Sequence, residues 1–159
     1  MAITERISAA DVRLDLGAGS KRALLQTLAA EAAQRLGRPE QEILEALEDR
    51  ENLGSTALGR GVALPHARLP GESPPVMLFA RLKRPIDYEA KDDEPVDLVI
   101  LVLWPEAAPE GFLPALSDTC RALREPAALR QLRAAATPEE VVALLHRHGR
   151  SVDSMPEAD

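Results

Sequence analysis

Residues 96–104 read Val-Asp-Leu-Val-Ile-Leu-Val-Leu-Trp, a stretch that is almost continuously apolar after its start. Such a run is typical of a strand in the middle of a sheet, where both faces are covered. Helix and strand patterns alternate along the chain, and helical patterns occur both before and after this strand. The sequence therefore predicts an α/β layered domain with residues 96–104 at the centre of its sheet.

Other strands are predicted from shorter patterns. Residues 12–16 alternate strictly between apolar and polar side chains, which indicates a half-buried strand. Two further strands are predicted at 61–64 and 76–82. The segment 85–95 is acidic and carries prolines at both ends, so we expect an exposed loop or hairpin arm there.

The helices are predicted from their end signals and apolar repeats. Ser20 is a suitable N-cap for a helix that runs to Leu36 and ends at Gly37. Pro39 opens the next helix, because proline is tolerated in a first helical turn. Three more helices are predicted in the last third of the chain, at about 110–123, 126–135 and 137–148.

Composition limits the classes of function. The 159 residues, 45% of them hydrophobic, suit one domain, which we place at 1–150 and follow with a flexible C-terminal tail at 151–159. The net charge of −7 disfavours nucleic acid and anionic membranes as partners, because their phosphates repel such a surface. No segment approaches the roughly 20 apolar residues of a membrane span, and the start lacks a signal-peptide core. We therefore expect a cytoplasmic protein without membrane insertion.

One histidine has surroundings that suggest chemistry. Residues 61–68 read Gly-Val-Ala-Leu-Pro-His-Ala-Arg, so a short apolar strand stops at a proline and presents His66 at a sheet edge or loop. Arg68 lies two residues further on, which places it on the same strand face and favours a bound anion. An isolated histidine in such a place is often an ordinary surface residue. The neighbouring cation is what points to a function.

A second cluster precedes this histidine by about ten residues. Arg50 provides a cation, the glycine-bracketed turn after it exposes backbone donors, and Ser55 and Thr56 add hydroxyls. Taken singly, Arg50 is explained as a helix-end cation and the hydroxyls as turn residues. Glu51 is interpreted as a partner for a nearby arginine. Together with His66, the cluster predicts a phosphoryl-accepting histidine with an anion cradle.

Metal binding and hydrolysis are weaker alternatives. His146 and His148 form an H-x-H pair, but residues two apart on a helix point about 200° away from each other, so no metal site is predicted. A hydrolase that uses His66 as a general base is a further alternative. We find no serine or cysteine nucleophile in a recognisable elbow to support it.

The residues of both clusters resemble a known family. The run 49–56 through 61–66 is similar to the signature of enzyme IIA domains of the bacterial phosphotransferase system (PTS), in the fructose/mannitol/nitrogen-regulatory (PtsN-like) branch. The resemblance covers about residues 4–148. It implies a three-layer α/β/α sandwich, for which we expect a mixed central sheet of four to five strands.

The same resemblance implies a function for the clustered residues. His66 would receive a phosphoryl group from a small phosphocarrier protein of the HPr or NPr type, with Arg50, Ser55 and Thr56 in supporting positions. No cofactor and no metal take part in such a transfer. Regulatory target proteins are further expected partners, and the product of the reaction is a phosphohistidine.

Two positions depart from the family pattern. Ala67 stands where the family usually has glycine after the histidine, and Phe112 stands where it has a second histidine at the start of a helix. Loss of that histidine removes a hydrogen-bond donor that could hold the active imidazole or the phosphoryl group. Two hypotheses follow: a regulatory phosphocarrier, or a transfer-deficient interaction module that binds a regulatory partner.

Overall fold

A computed structural model describes residues 3–148 of the chain, so the predicted tail at 151–159 lies outside the described residues. The described part contains six strands and five α-helices. The strands are β1 (Val12–Leu16), β2 (Ala57–Gly59), β3 (Val62–Ala63), β4 (His66–Leu69), β5 (Val76–Ile86) and β6 (Val96–Pro105). The helices are α1 (Lys21–Leu36), α2 (Glu40–Asn52), α3 (Phe112–Ala122), α4 (Pro126–Ala134) and α5 (Pro138–His148). Short 3-10 helices cover Ile3–Glu5, Ala9–Asp11 and Pro109–Gly111.

The strands form one mixed sheet in the order β1-β5-β6-β3-β2, and β4 also pairs with β6. β5 runs antiparallel to β6, whereas β3 and β4 run parallel to it. The predicted α/β class with a mixed sheet is confirmed. The sheet has six strands rather than four to five, because β2 and β4 contain only three and four residues and carry too few positions for a period-two pattern to show.

The described residues fall into two compact units. One unit, Arg13–Pro109, holds almost the whole sheet with α1 and α2. The other joins the residues up to Val12 to those from Glu110 onward, and contains α3, α4 and α5. The single domain predicted for 1–150 stays a prediction.

Strand β6 forms the centre of the core in the sheet unit. Its residues from Leu98 to Leu103 are all at most 1% exposed, which confirms the two-sided burial predicted from the apolar run. Alternate residues of β6 belong to the same buried cluster as Leu28 of α1 and Ile43 of α2, so these helices cover one face of the sheet. Each fully buried leucine or isoleucine contributes about 1.5–3 kcal/mol of hydrophobic stabilisation.

The predicted helix ends of the sheet unit are confirmed. The Ser20 side chain accepts a hydrogen bond from the backbone of Ala23, and Gly37 takes the left-handed conformation that ends α1. Helix α2 follows Pro39 directly and extends to Asn52. Its last turn therefore carries the adjacent residues 50 and 51 of the predicted cluster.

The segment 85–95 differs from its prediction. Strand β5 continues to Ile86, and the side chains of Tyr88 and Ala90 are buried, with Tyr88 fully enclosed. Apolar residues at every second position in 86–90 explain the burial, since alternate side chains of an extended chain face the same side. The segment connects the antiparallel strands β5 and β6 as the predicted hairpin arm. Its expected exposure is wrong for Ile86, Tyr88 and Ala90, whereas the residues between them and residues 91–95 are exposed.

The helices of the second unit lie close to their predicted places. Phe112 is the first residue of α3, and the Thr137 hydroxyl accepts a hydrogen bond from the backbone of Glu140 at the start of α5. His146 bonds the carbonyl of Ile7 within the same unit. No helix within residues 3–148 has the length and apolar character needed to cross a bilayer.

Candidate functional site

His66 is the first residue of β4, opposite Val102 of the central strand β6. Pro65 separates β4 from β3, and both short strands run along the same side of β6. Among the described residues β4 pairs with β6 alone, so the predicted sheet-edge position is confirmed. The prediction differs in one respect, because His66 begins a strand instead of following one into a loop. Its side chain is half-buried.

Two hydrogen bonds define the tautomer of the His66 ring. Nδ1 lies 2.7 Å from the carbonyl oxygen of Leu64, and that oxygen can only accept, so Nδ1 carries the proton. The Nε–H of Arg50 donates to Nε2 over 3.2 Å, which requires a lone pair on Nε2. Both contacts give the same neutral ring, with Nε2 as its nucleophilic atom.

Arg50 links the histidine to the turn after α2. Its Nε–H contacts His66, and its Nη1 donates to the carbonyl of Gly54 over 3.0 Å. The predicted convergence of Arg50 on His66 is thereby observed as a direct contact. Because the second contact uses a different guanidinium nitrogen, the remaining N–H groups are available to an anion placed near Nε2.

The surroundings of His66 favour the neutral imidazole. Burial of the ring lowers its pKa below the ordinary value of 6.5, and the positive charge of Arg50 lowers it further. The Leu64 hydrogen bond and the negative charge of Glu51 act in the opposite direction, but they do not cancel these effects. A neutral ring leaves Nε2 unprotonated at neutral pH, with its lone pair shared only with the Arg50 hydrogen bond.

Ser55 and Thr56 lie in the turn as predicted, but their hydroxyls bond to protein groups. The Ser55 hydroxyl donates to the carbonyl of Tyr88 over 2.9 Å and accepts from the backbone of Ala57. The Thr56 side chain is buried and donates to the carboxylate of Glu51. Their observed contacts therefore hold the turn in place, and their role toward a phosphoryl group stays a prediction.

Sequence reasoning missed the cluster around Glu51. Its buried carboxylate forms an ion pair with Lys21 at 3.0 Å, accepts from the backbone and hydroxyl of Thr56, and accepts from the Tyr88 hydroxyl at 3.0 Å. The expected arginine partner is therefore wrong, and the cation comes from the start of α1. The ammonium of Lys21 also lies 4.5 Å from the centre of the Tyr88 ring. The apolar residues at every second position around Tyr88 were the sequence signal that could have predicted its burial.

Tyr88 is held in its neutral form. Burial of the hydroxyl and the negative charge of Glu51 both raise its pKa far above the ordinary value. It therefore remains a hydrogen-bond donor to Glu51 at any physiological pH. Asp92, also in the segment 85–95, contacts the turn between β2 and β3. Its carboxylate accepts a hydrogen bond from the backbone N–H of Arg60 over 3.0 Å.

Two predicted residues stay predictions in their roles. Arg68 is exposed and alternates with buried neighbours on β4, which places it on the same strand face as His66. Phe112 begins α3 as expected, in the other compact unit. Within residues 3–148, no three histidine, cysteine, aspartate or glutamate side chains group together as a metal site.

Comparison with known proteins identifies the family. The model for "Phosphoenolpyruvate-dependent sugar phosphotransferase system, EIIA 2" matches residues 5–148, and the chain belongs to this family of PTS enzyme IIA domains. The resemblance noted in the sequence is therefore confirmed. The family match covers every residue of the two predicted clusters and both positions that depart from the usual pattern.

Within the family, the chain is similar to nitrogen regulatory proteins. It is 43% identical to the nitrogen regulatory protein of Bradyrhizobium diazoefficiens over 145 residues, covering 91% of this chain and 95% of that protein. The crystal structure of nitrogen regulatory protein IIA-Ntr from Neisseria meningitidis matches with a TM-score of 0.85 and 32% identity, over 90% of this chain and 98% of that one. The mannitol IIA of Escherichia coli, 19% identical with a TM-score of 0.73 over 87% of this chain and 98% of that one, shares the fold.

The pKa of His66 gives a first testable prediction. We expect the ring to titrate below pH 6.5 in a ¹⁵N NMR titration, because burial and Arg50 both disfavour the imidazolium. Arg50→Gln removes a positive charge beside the ring, so the pKa should rise. Arg22→Gln alters an exposed ion pair with Glu48 and should change nothing. A wild-type pKa at or above 6.5 contradicts this account.

Proposed function

We propose that the chain is a regulatory phosphocarrier whose His66 accepts a phosphoryl group from a phosphorylated HPr- or NPr-type protein. The observation that carries the proposal is the neutral His66 ring, with a protonated Nδ1 bonded to Leu64 and a lone pair on Nε2 beside Arg50. The nitrogen regulatory names of the relatives favour regulation of other proteins over sugar uptake. Such a carrier acts in the cytoplasm, where its donor and its target proteins are present.

The proposed step is an in-line transfer to Nε2. The Nε2 lone pair forms the new bond to phosphorus while the bond between phosphorus and the carrier breaks, and the departing electron pair stays with the carrier. Nδ1 keeps its proton throughout, so no separate base is required. The ring becomes positively charged, and the Leu64 carbonyl stabilises that charge through the existing hydrogen bond.

Arg50 has to change its contact during this step. Its Nε–H occupies the lone pair that attacks phosphorus, so the guanidinium must move from Nε2 toward the oxygens of the incoming phosphoryl group. There it neutralises charge that spreads over those oxygens in the transition state. The Gly54 carbonyl bonded to Nη1 limits how far the group moves. Arg68 is a second candidate cation for the same oxygens.

A mass measurement tests the acceptor. Incubation with phosphorylated HPr- or NPr-type protein should add one phosphoryl group to the wild-type chain and none to His66→Ala, because the nucleophilic nitrogen is gone. His148→Ala lies in the other compact unit and serves as the matched control, which should still be phosphorylated. A phosphoryl gain in His66→Ala shows that another residue is the acceptor.

A transfer-deficient interaction module is the second candidate function, and Phe112 is the observation in its favour. An apolar ring at the start of α3 replaces the family's second histidine and offers no hydrogen bond. Such a module would bind its regulatory partner without cycling through a phosphorylated state. The neutral His66 and its contact with Arg50 favour the phosphocarrier instead.

Restoring the histidine separates the two candidates. If the missing donor limits transfer, Phe112→His should raise the rate of phosphoryl gain about 10- to 1000-fold, the range that one positioned donor governs. Leu113→His is the matched control, because Leu113 is exposed and neighbouring residues on a helix point about 100° apart. Equal rates for wild type and Phe112→His, measured by rapid-quench labelling, would mean that the second histidine is dispensable here.

A further inference from the structure

We infer that Glu51 is a positioning residue for His66: its buried carboxylate closes the turn that holds Arg50 against Nε2. The inference rests on the proposed function of His66 as phosphoryl acceptor. Glu51 follows Arg50 directly in the last turn of α2, but the two side chains contact different parts of the protein. Arg50 contacts the ring, whereas Glu51 contacts three other parts of the sheet unit.

The contacts of Glu51 join three separate elements to the end of α2. One carboxylate oxygen takes the Lys21 ammonium and the Thr56 backbone N–H, each at 3.0 Å. The other takes the hydroxyls of Thr56 and Tyr88. Glu51 is only 8% exposed, and the Lys21 side chain is also largely covered. A buried carboxylate with this many donors is held in one geometry, because each lost contact leaves a polar group without compensation.

The turn between Glu51 and Thr56 transmits this geometry to the histidine. The carboxylate bonds both the backbone and the side chain of Thr56, so residues 51–56 form a closed loop. The carbonyl of Gly54 lies inside that loop and accepts the Nη1–H of Arg50. The remaining link is the Arg50 Nε–H donated to His66. Glu51 therefore acts on the reacting nitrogen through Thr56, Gly54 and Arg50.

Tyr88 supports the same loop from outside. Its hydroxyl donates to Glu51, and its backbone carbonyl accepts from Ser55, so one residue contacts both ends of the turn. The Ser55 and Thr56 hydroxyls, predicted as phosphoryl ligands, are both used in these contacts. Their place in the sequence beside Arg50 is explained by the construction of the turn.

The test compares Glu51→Gln with a matched control. Glutamine keeps the size of the side chain but supplies one acceptor oxygen, so it cannot serve Lys21, Thr56 and Tyr88 together. Glu48→Gln, one turn earlier on α2, removes a carboxylate whose partner is the exposed Arg22. For Glu51→Gln we expect kcat for phosphoryl gain to fall about 10- to 100-fold, with little change in KM for the phosphorylated carrier. The reason is that Arg50, the cation that stabilises the transferring phosphoryl oxygens, is misplaced, whereas binding of the carrier is not affected. Glu48→Gln should match wild type.

An NMR readout tests the positioning without any reaction. In wild type, the Arg50 Nε–H should exchange slowly with water because it is bonded to Nε2, and in Glu51→Gln it should exchange faster. Unchanged exchange in Glu51→Gln overturns the inference, even if kcat falls, because Glu51 would then act by its charge alone. If wild type accepts no phosphoryl group at all, the proposed function fails, and the exchange comparison alone decides the role of Glu51.

A milder variant covers the case in which Glu51→Gln does not fold. Tyr88→Phe removes a single donor from the same carboxylate and leaves the ring and the backbone contact with Ser55 in place. The inference predicts a smaller change in the same direction, with faster Arg50 Nε–H exchange and a lower kcat. Wild-type values for both quantities in Tyr88→Phe would overturn it.

Discussion

Pairing on both sides of β6 determines where His66 lies. β5 covers one side of this strand, and the other side is shared by β3 and β4, which Pro65 separates. The backbone carbonyl of Pro65 still accepts from Val102, so the short strands continue along β6 across the interruption. The Leu64 carbonyl meanwhile accepts from the His66 ring. Strand β6 thus supports the backbone of β4 at His66. The break between β3 and β4 leaves the Leu64 carbonyl free to bond Nδ1, which determines the tautomer of the His66 ring.

The charges around the site are arranged in two layers. Arg50 is the cation that meets the imidazole, and it disfavours a second positive charge on the ring. Behind it, the buried Glu51 carboxylate pairs with the partly covered Lys21 ammonium and also accepts from Thr56 and Tyr88. An ion pair of this kind adds little net stability, because desolvation offsets the attraction. The four donors on the Glu51 carboxylate, from Lys21, Thr56 and Tyr88, are what hold it in one geometry. That specificity is what a transfer dependent on in-line positioning requires.

Local signals predicted the parts of the structure that local physics controls. The apolar run of β6 could be recognised because a strand buried on both faces needs apolar side chains at nearly every position. The ends of α1 could be recognised because helix caps favour particular residues, here Ser20 and Gly37. The Arg50–His66 contact followed from a motif close in sequence. The partner of Glu51 could not be predicted in this way, because Lys21 lies thirty residues away in the chain and only tertiary packing brings the two side chains together. Strand β4 was missed for a related reason, because its four residues are specified by pairing with β6 and not by their own pattern.

The position of phosphorus on the His66 ring tests the central claim most directly. After transfer from phosphorylated HPr- or NPr-type protein to ¹⁵N-labelled chain, the ³¹P–¹⁵N coupling identifies the bonded nitrogen. The account predicts coupling to Nε2 of His66, with a proton retained on Nδ1 beside the Leu64 carbonyl. Coupling to Nδ1, or to a nitrogen of another residue, would contradict it, because the hydrogen bonds of the ring would then not determine its nucleophilic atom.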